Sequence, residues 1–456
     1  MKAQLFLIFC YCYLVTGCES YDKNKPQAPA EGKKDLPLNS GKTSESEEET
    51  ENETINDGTP TNPENEGQST VDGNDWGMPE LLKSLVFNVI WPNIDSYQKE
   101  LEKLKVISAE FCANTDDLSL EKAQEQWRKT MYAWQKIEIH KVRSESEDFS
   151  ALSLSHLIYH FNLRASPYFV FDEAMKVFAG AGFNATKHNS NGLDAMEVLL
   201  FDHDPGPECS DIFKRLPSSY TNASLETQSK AKCKYINLVM EDLQNNTQKL
   251  VNSLDPSKSN FLKNFAESSN PKNSMQSLFE DMYSIETSVK DVKLGIPTGS
   301  VISPTCNKPP CPCRVEHIYS KSSSESIDAN MESFSELLRG ASSSANSDSL
   351  YPVYGINDYL RKKNQTSLAH ELELSIQDVK SDLSELQPTN LFREVAKLSI
   401  GGCTSFENSD KLVCRLFNNV KKITDIIKLG ESSGEKSEFL KTLEVDLPTR
   451  ASGDSD

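Results

Sequence analysis

The sequence predicts an all-α protein: two antiparallel four-helix-type bundles packed side by side, preceded by a disordered acidic tether. Three observations carry this. Apolar residues recur at helical intervals from Gly77 onward, alternating strand-like patterns are scarce, and Pro and Gly fall between the periodic stretches, as in IPTGSVISPTCNKPPCPC at 296–313. The 456 residues suffice for two or three compact domains. A hydrophobic content of 37% is low for a wholly globular chain and fits one that is partly disordered. A formal charge of −20 repels phosphate backbones, which excludes nucleic acid as a partner and favours cations.

The elements follow in chain order. MKAQLFLIFCYCYLVTGC has one basic residue, Lys2, then an apolar run from Leu5 to Val15. That run is too short to span a bilayer but suits the core of a secretory signal peptide, residues 1–17. It ends Val15-Thr16-Gly17-Cys18, which resembles a bacterial lipobox with Cys18 as the acylated residue, carrying palmitate. An ordinary secretory signal is the alternative. Glu19 after the cysteine favours the outer membrane over the inner one. The expected location is the cell envelope, lipid-anchored, on its periplasmic or surface face. Residues 18–75 form the lipidated N-terminus and acidic linker; SESEEETENETINDGTPTNPENEGQ cannot bury enough surface to offset its ordering entropy.

Residues 76–256 are read as the first bundle and 257–445 as the second, with a polar tail at 446–456. In the first, Ile90, Ile94, Tyr97, Leu101, Leu104 and Ile107 make one helical stripe. Ala123, Trp127, Met131, Trp134 and Glu138 make a second, and Tyr235, Leu238, Leu243 and Leu250 a third. In the second bundle, helices are expected near 275–292, 324–339, 366–386, 388–398 and 410–430.

Of the 11 cysteines, Cys10 and Cys12 leave with the signal and Cys18 takes the lipid. The even remainder in an exported chain reads as disulfides. Nearness favours Cys209 with Cys233 and Cys403 with Cys414. Cys311-Pro312-Cys313 is too tight for a mutual bridge, so each cysteine pairs elsewhere. A thiolate metal site at Cys306, Cys311 and Cys313 is the rival reading.

The candidate chemistry lies in GLDAME, Gly192 to Glu197. Positions three apart share a helix face, so Asp194 and Glu197 converge amid apolar residues. Two such carboxylates need a metal, a basic side chain or a shared proton. The bland alternative is a helix start whose carboxylates bond to backbone amides. Glu138, on the Trp127–Trp134 stripe, is the third acid that could share a cation with them; its alternative is an edge position reaching solvent. Trp127 and Trp134 read as core. His156 and His160 lie four apart, and His188 and His203 flank the acidic pair, so any of these could add a metal ligand. His140 points away from Glu138 on a helix. HELEL at 370–374 lacks the second histidine of a zinc-peptidase motif, and neither a nucleophile elbow nor a dinucleotide fingerprint is present.

GLDAMEVLLF resembles the signature of the imelysin family, exported bacterial proteins often carried as lipoproteins. The family pattern is Gly-x-His-x-x-Glu; Gly192 and Glu197 match it, and Asp194 stands at the histidine position. KLGIPTG (293–299), the block from Val315 to Gly340 and WRKTMYAWQKIE (127–138) are similar to further family segments in the same order. The likeness covers about residues 80–430 and marks Lys293, Glu316 and Ser320 as motif positions without a role derivable from sequence. It implies two related bundles and a metal at the His and Glu positions, in a family first described as peptidase-like and since regarded as iron-associated. Asp194 in place of imidazole shifts the preference toward a hard cation, iron among them. The leading expectation is non-catalytic binding of a ligand or metal at the envelope, with the membrane and an uptake component as partners. A metal-dependent peptidase and a structural or adhesive surface module are the alternatives.

Overall fold

The computed structural model describes residues 76–141, 156–159, 165–187, 189–201, 209, 213–344, 351–387, 389–430 and 435–448. The signal peptide, Cys18, the acidic linker, His160, His188, His203 and the end of the polar tail lie outside the described residues. Among the described residues the regular structure is helical; the β pairing is an isolated bridge between Ser303 and Cys306.

The chain enters at α1 (Met78–Leu85), which runs through a wide π-helical turn, Val86–Ile90, into α2 (Trp91–Asn114). Pro92 explains the wide turn. It has no N–H to give to the carbonyl four residues back, and its ring crowds that carbonyl. The freed Asn88 carbonyl accepts instead from the Ser342 amide at 2.8 Å. Asp116 caps α3 (Asp117–Ile137), its carboxylate accepting from the Ser119 amide at 2.7 Å. Then come α4 (Pro167–Phe178), α5 (Gly192–Leu200) and α6 (Leu225–Leu254). The stripes read from sequence point inward: Ile94, Tyr97, Leu101, Leu104, Trp127, Met131, Trp134, Tyr235, Leu243 and Leu250 are all buried.

The second part begins with α7 (Pro271–Met282). A second π-helical stretch, Ile285–Gly295, follows and passes into the short helical turn Ile296–Thr298, which carries Pro297. After it come α8 (Ser323–Arg339), α9 (Thr366–Leu386) and α10 (Leu412–Lys428). The last three match expected segments to within two residues at each end, whereas the expected helix near 275–292 divides at Tyr283. Helix α8 ends at Gly340, φ +77°, where a Cβ would sit 2.3 Å from the Tyr354 carbonyl carbon. No β-carbon fits so close a crossing.

α2 packs on α3 and α6, and α5 lies against α3, α4 and α6. In the second part α9 packs on α8 and α10, with the π-helical stretch against α8 and α10. The two sets meet directly where α3 packs along α8 and α1 along α7. One apolar core runs from Met78 to Val445, and Asp72–Asp456 forms a single compact unit.

Four disulfides join Cys112 to Cys233, Cys209 to Cys313, Cys306 to Cys311 and Cys403 to Cys414. The 403–414 pair is as expected, and Cys311 and Cys313 do pair elsewhere. The expected Cys209–Cys233 bridge is corrected. Cys233 lies on α6 facing the end of α2, which puts it 5.3 Å, Cα to Cα, from Cys112. Packing of α2 on α6, not sequence nearness, selects the partner. The thiolate metal reading is likewise overturned, since Cys306, Cys311 and Cys313 are all bonded in disulfides.

Candidate functional site

The motif residues meet between the two sets of helices. Gly192 opens α5 with φ +81°, and a Cβ there would lie 2.7 Å from the Ile158 carbonyl oxygen. Asn191 caps the helix at the Gly192 amide, 2.8 Å away. The Trp127 indole donates to the Leu193 carbonyl at 3.0 Å, fixing α5 on α3. Both α5 acids are therefore buried, Asp194 at 4% and Glu197 at 5% exposure.

Glu197 faces the turn that precedes α8. Its Oε1 accepts from the Ser320 amide and the Ser320 hydroxyl, each at 2.9 Å, and its Oε2 lies 3.2 Å from His317 Nδ1. His317 (φ +51°) and Lys321 (φ +61°) both take left-handed backbone, and the Lys321 amide closes the turn on the His317 carbonyl at 2.8 Å. For non-glycine residues that conformation costs about 1–2 kcal/mol each. Arg128 helps hold the turn by donating to the Ser320 carbonyl at 3.3 Å. The His317 ring is packed edge-on against Trp127 and lies beside Tyr159. Its Nε2 is buried without a hydrogen bond, 3.8 Å from Glu316 Oε1.

Glu316 links this end of the cluster to the other. Its Oε1 accepts from the Tyr159 hydroxyl at 2.5 Å and the Gln135 amide at 3.3 Å, and its Oε2 lies 3.2 Å from Lys293 Nζ. Lys293, on the π-helical stretch, also donates to Glu138 Oε2 at 2.9 Å, to Asn330 Oδ1 at 2.8 Å and to Gln135 Oε1. Glu138 has Lys141 at 3.8 Å as a second cation. The charges alternate along the row Glu197, His317, Glu316, Lys293, Glu138, Lys141.

This order sets the protonation states. Burial pushes the Glu197 carboxyl up, but His317 and the Ser320 donors outweigh it and hold it below its usual value. Burial pulls the His317 imidazolium down, yet Glu316 and Glu197 leave it raised. Burial likewise opposes charge on Lys293 and Glu138; mutual attraction wins, raising the first and lowering the second. The Tyr159 hydroxyl is pushed well above its usual value by burial and by Glu316, Asp194 and Glu138, so it stays a donor.

The structure brings Glu138, Lys293, Glu316 and Ser320, all singled out from the sequence, into one row with Glu197. Sequence reasoning missed Gln135, Tyr159 and Asn330, whose only signal is a polar group on an otherwise apolar helix face or beside one. His140 is buried in a separate group with Asn93, Lys136 and Glu336, and His156 is exposed. Asp194, Glu197 and Glu138 do not gather around one cation. Glu138 is held by Lys293 and Glu197 by His317 and Ser320, and among the described residues no group of three or more His, Cys, Asp or Glu is arranged to hold a metal ion. The arrangement does not fit the metal that the motif implies: at Glu197 and Glu138 the side-chain cations His317 and Lys293 already supply the compensation.

The comparisons with known proteins agree with the fold. A crystal structure of an imelysin-like protein from Psychrobacter arcticum is similar with a TM-score of 0.54 at 15% identity, over 82% of this chain and 98% of that one. That of an iron-regulated protein A precursor from Parabacteroides distasonis is similar with a TM-score of 0.51 at 15% identity, over 76% of this chain and 92% of that one. No curated protein matches. The model of the imelysin family matches residues 90–424, a span that contains α2 to α9, most of α10 and the whole buried row from Glu138 to Ser320, and the chain belongs to the imelysin family.

Proposed function

We propose that this chain is a non-catalytic binding protein of the cell envelope, in an iron-linked process, with the buried charge row as its functional centre. The observation that carries the reading is His317: buried at 2% exposure, on left-handed backbone, between two carboxylates, with Nε2 lacking a hydrogen bond. Buried ionisable groups and local backbone strain both lower stability, and they concentrate where a protein uses them. The iron link is supported by the name of the structurally similar iron-regulated protein. The envelope location is supported by the leader ending at Cys18 and by four disulfides, which form in oxidising compartments. A lipid anchor at Cys18 makes the membrane its first partner, and an uptake component is the second.

Since the three motif acids do not converge, the proposed ligand is an iron-containing species rather than a bare ion held by them. The test is dialysis of the oxidised chain against ferrous, ferric and citrate-chelated ferric iron, read by elemental analysis. Retention that His317→Gln and Glu197→Gln both abolish is the expected result. No retention of any form, or retention indifferent to both changes, overturns the reading. Denatured peptides should remain uncut under the same conditions.

A further inference from the structure

The Lys293 end of the row has a composition unlike an ordinary ion pair. The residue is 2% exposed and, among the described residues, its ammonium is paired with four side-chain oxygens: Gln135 Oε1, Glu138 Oε2 at 2.9 Å, Asn330 Oδ1 at 2.8 Å and Glu316 Oε2 at 3.2 Å. Two carboxylates and two amides converging on one point is the donor set that hard cations take, calcium and manganese among them. The oxygens come from three separated elements: α3 and its end, the turn before α8, and α8 itself. They are held in place independently of the lysine. Asn330 donates to the Gln135 carbonyl at 2.6 Å, Glu316 accepts from Tyr159, and Glu138 is half-buried beside Lys141. The lysine arrives from a fourth element, the π-helical stretch Ile285–Gly295.

We infer that Lys293 is a tethered cation filling an all-oxygen cage, so that the native chain excludes free metal ions there and loss of the ammonium opens a site for a hard divalent cation. The physical reason is charge. With Lys293 present, Glu138 and Glu316 are closely matched; without it they keep only the more distant Lys141 and His317, each at 3.8 Å, around a space an ion can occupy. Such an arrangement is unstable until something positive enters. This inference concerns the Lys293 end alone and does not rest on the iron-linked reading, which concerns His317 and Glu197.

The experiment compares the oxidised full chain with Lys293→Ala, both freed of metals, by calorimetric titration and thermal melting with calcium and with manganese. Lys293→Ala is expected to bind a divalent ion in about the 0.1–1 mM range of weak all-oxygen sites and to melt higher as the ion is added. The native chain is expected to show neither effect at the same concentrations. Adding Glu138→Gln to Lys293→Ala should weaken binding at least about tenfold by removing one carboxylate. Three results overturn the inference: a Lys293→Ala chain with no saturable binding, one that stays unfolded in millimolar calcium and manganese, or a native chain that binds a divalent ion and loses it on Glu138→Gln. The last also needs no folded lysine variant. Iron retention in the preceding experiment is a separate readout, so either reading can fail alone.

Discussion

Substituting Gly192 by alanine separates two reasons for a glycine at the motif. The residue has φ +81°, and an added Cβ would stand 2.7 Å from the Ile158 carbonyl oxygen and 3.3 Å from its carbon. Gly180 is an internal control, with φ +105° but nothing within 4 Å of the added atom. Both substitutions incur the left-handed backbone penalty of about 1–2 kcal/mol. Only Gly192→Ala also drives an atom into backbone that cannot rotate away, and forced shifts of that kind add about 1–3 kcal/mol. The expected losses are therefore about 1–2 kcal/mol for Gly180→Ala and about 2–5 kcal/mol for Gly192→Ala. Urea unfolding of the oxidised native chain and both variants, followed by helical circular dichroism, gives the two numbers. A Gly192→Ala loss no larger than that of Gly180→Ala refutes the close-approach argument and leaves only conformational freedom to explain the glycine.

Lys136 and Glu336 form a fully buried pair at 2.6 Å, so Lys136→Met leaves a buried carboxylate uncompensated and should cost about 3–5 kcal/mol. Adding Glu336→Leu should recover most of that loss in urea unfolding; a double variant as unstable as the single contradicts the charge argument. Because the folded His317 value is raised, its contribution is complete below the unfolded value and fades as pH climbs through the folded one. The stability gap between native chain and His317→Gln should thus be wider at about pH 6 than at about pH 9, and a gap that widens with pH would show the imidazole to be buried neutral. Replacing both Cys209 and Cys313 by serine opens a bridge spanning 104 residues and should lower stability by about 2–4 kcal/mol. Unchanged melting would mean that packing alone holds the turn carrying Glu316 and His317.

Much of the helical layout was legible because it is local. The stripe Ile90–Leu104 and the stripe Ala123–Trp134 encode their own inward faces, and even Glu138 lay on the face that proved to be inward. What stayed hidden depends on residues far apart in sequence. Nothing near Lys293 announces Glu138, 155 residues away, and nothing near Cys233 announces Cys112, 121 away. The π-helical turns were hidden for a different reason: the periodicity hardly changes across them, and only Pro92 and Pro297 mark where the ladder must break. The motif acids were read as one set because they share a helix or a stripe. Side-chain cations from the other half divided them, a partition that spacing along the chain cannot report.

The row of charges also bears on where this chain could be cut. Glu138, Tyr159 and Glu197 come from one side of the 256/257 boundary, and Lys293, Glu316 and His317 from the other. Severed there, Glu197 would lose both His317 and Ser320, Glu138 would keep Lys141 but lose Lys293, and Lys293 and His317 would each keep Glu316 but lose their second carboxylate. Neither piece would be a self-sufficient unit, however well its helices formed alone. Recombining the two fragments in a test tube would amount to neutralising a buried electrolyte, and reassembly should be correspondingly selective for the matching half.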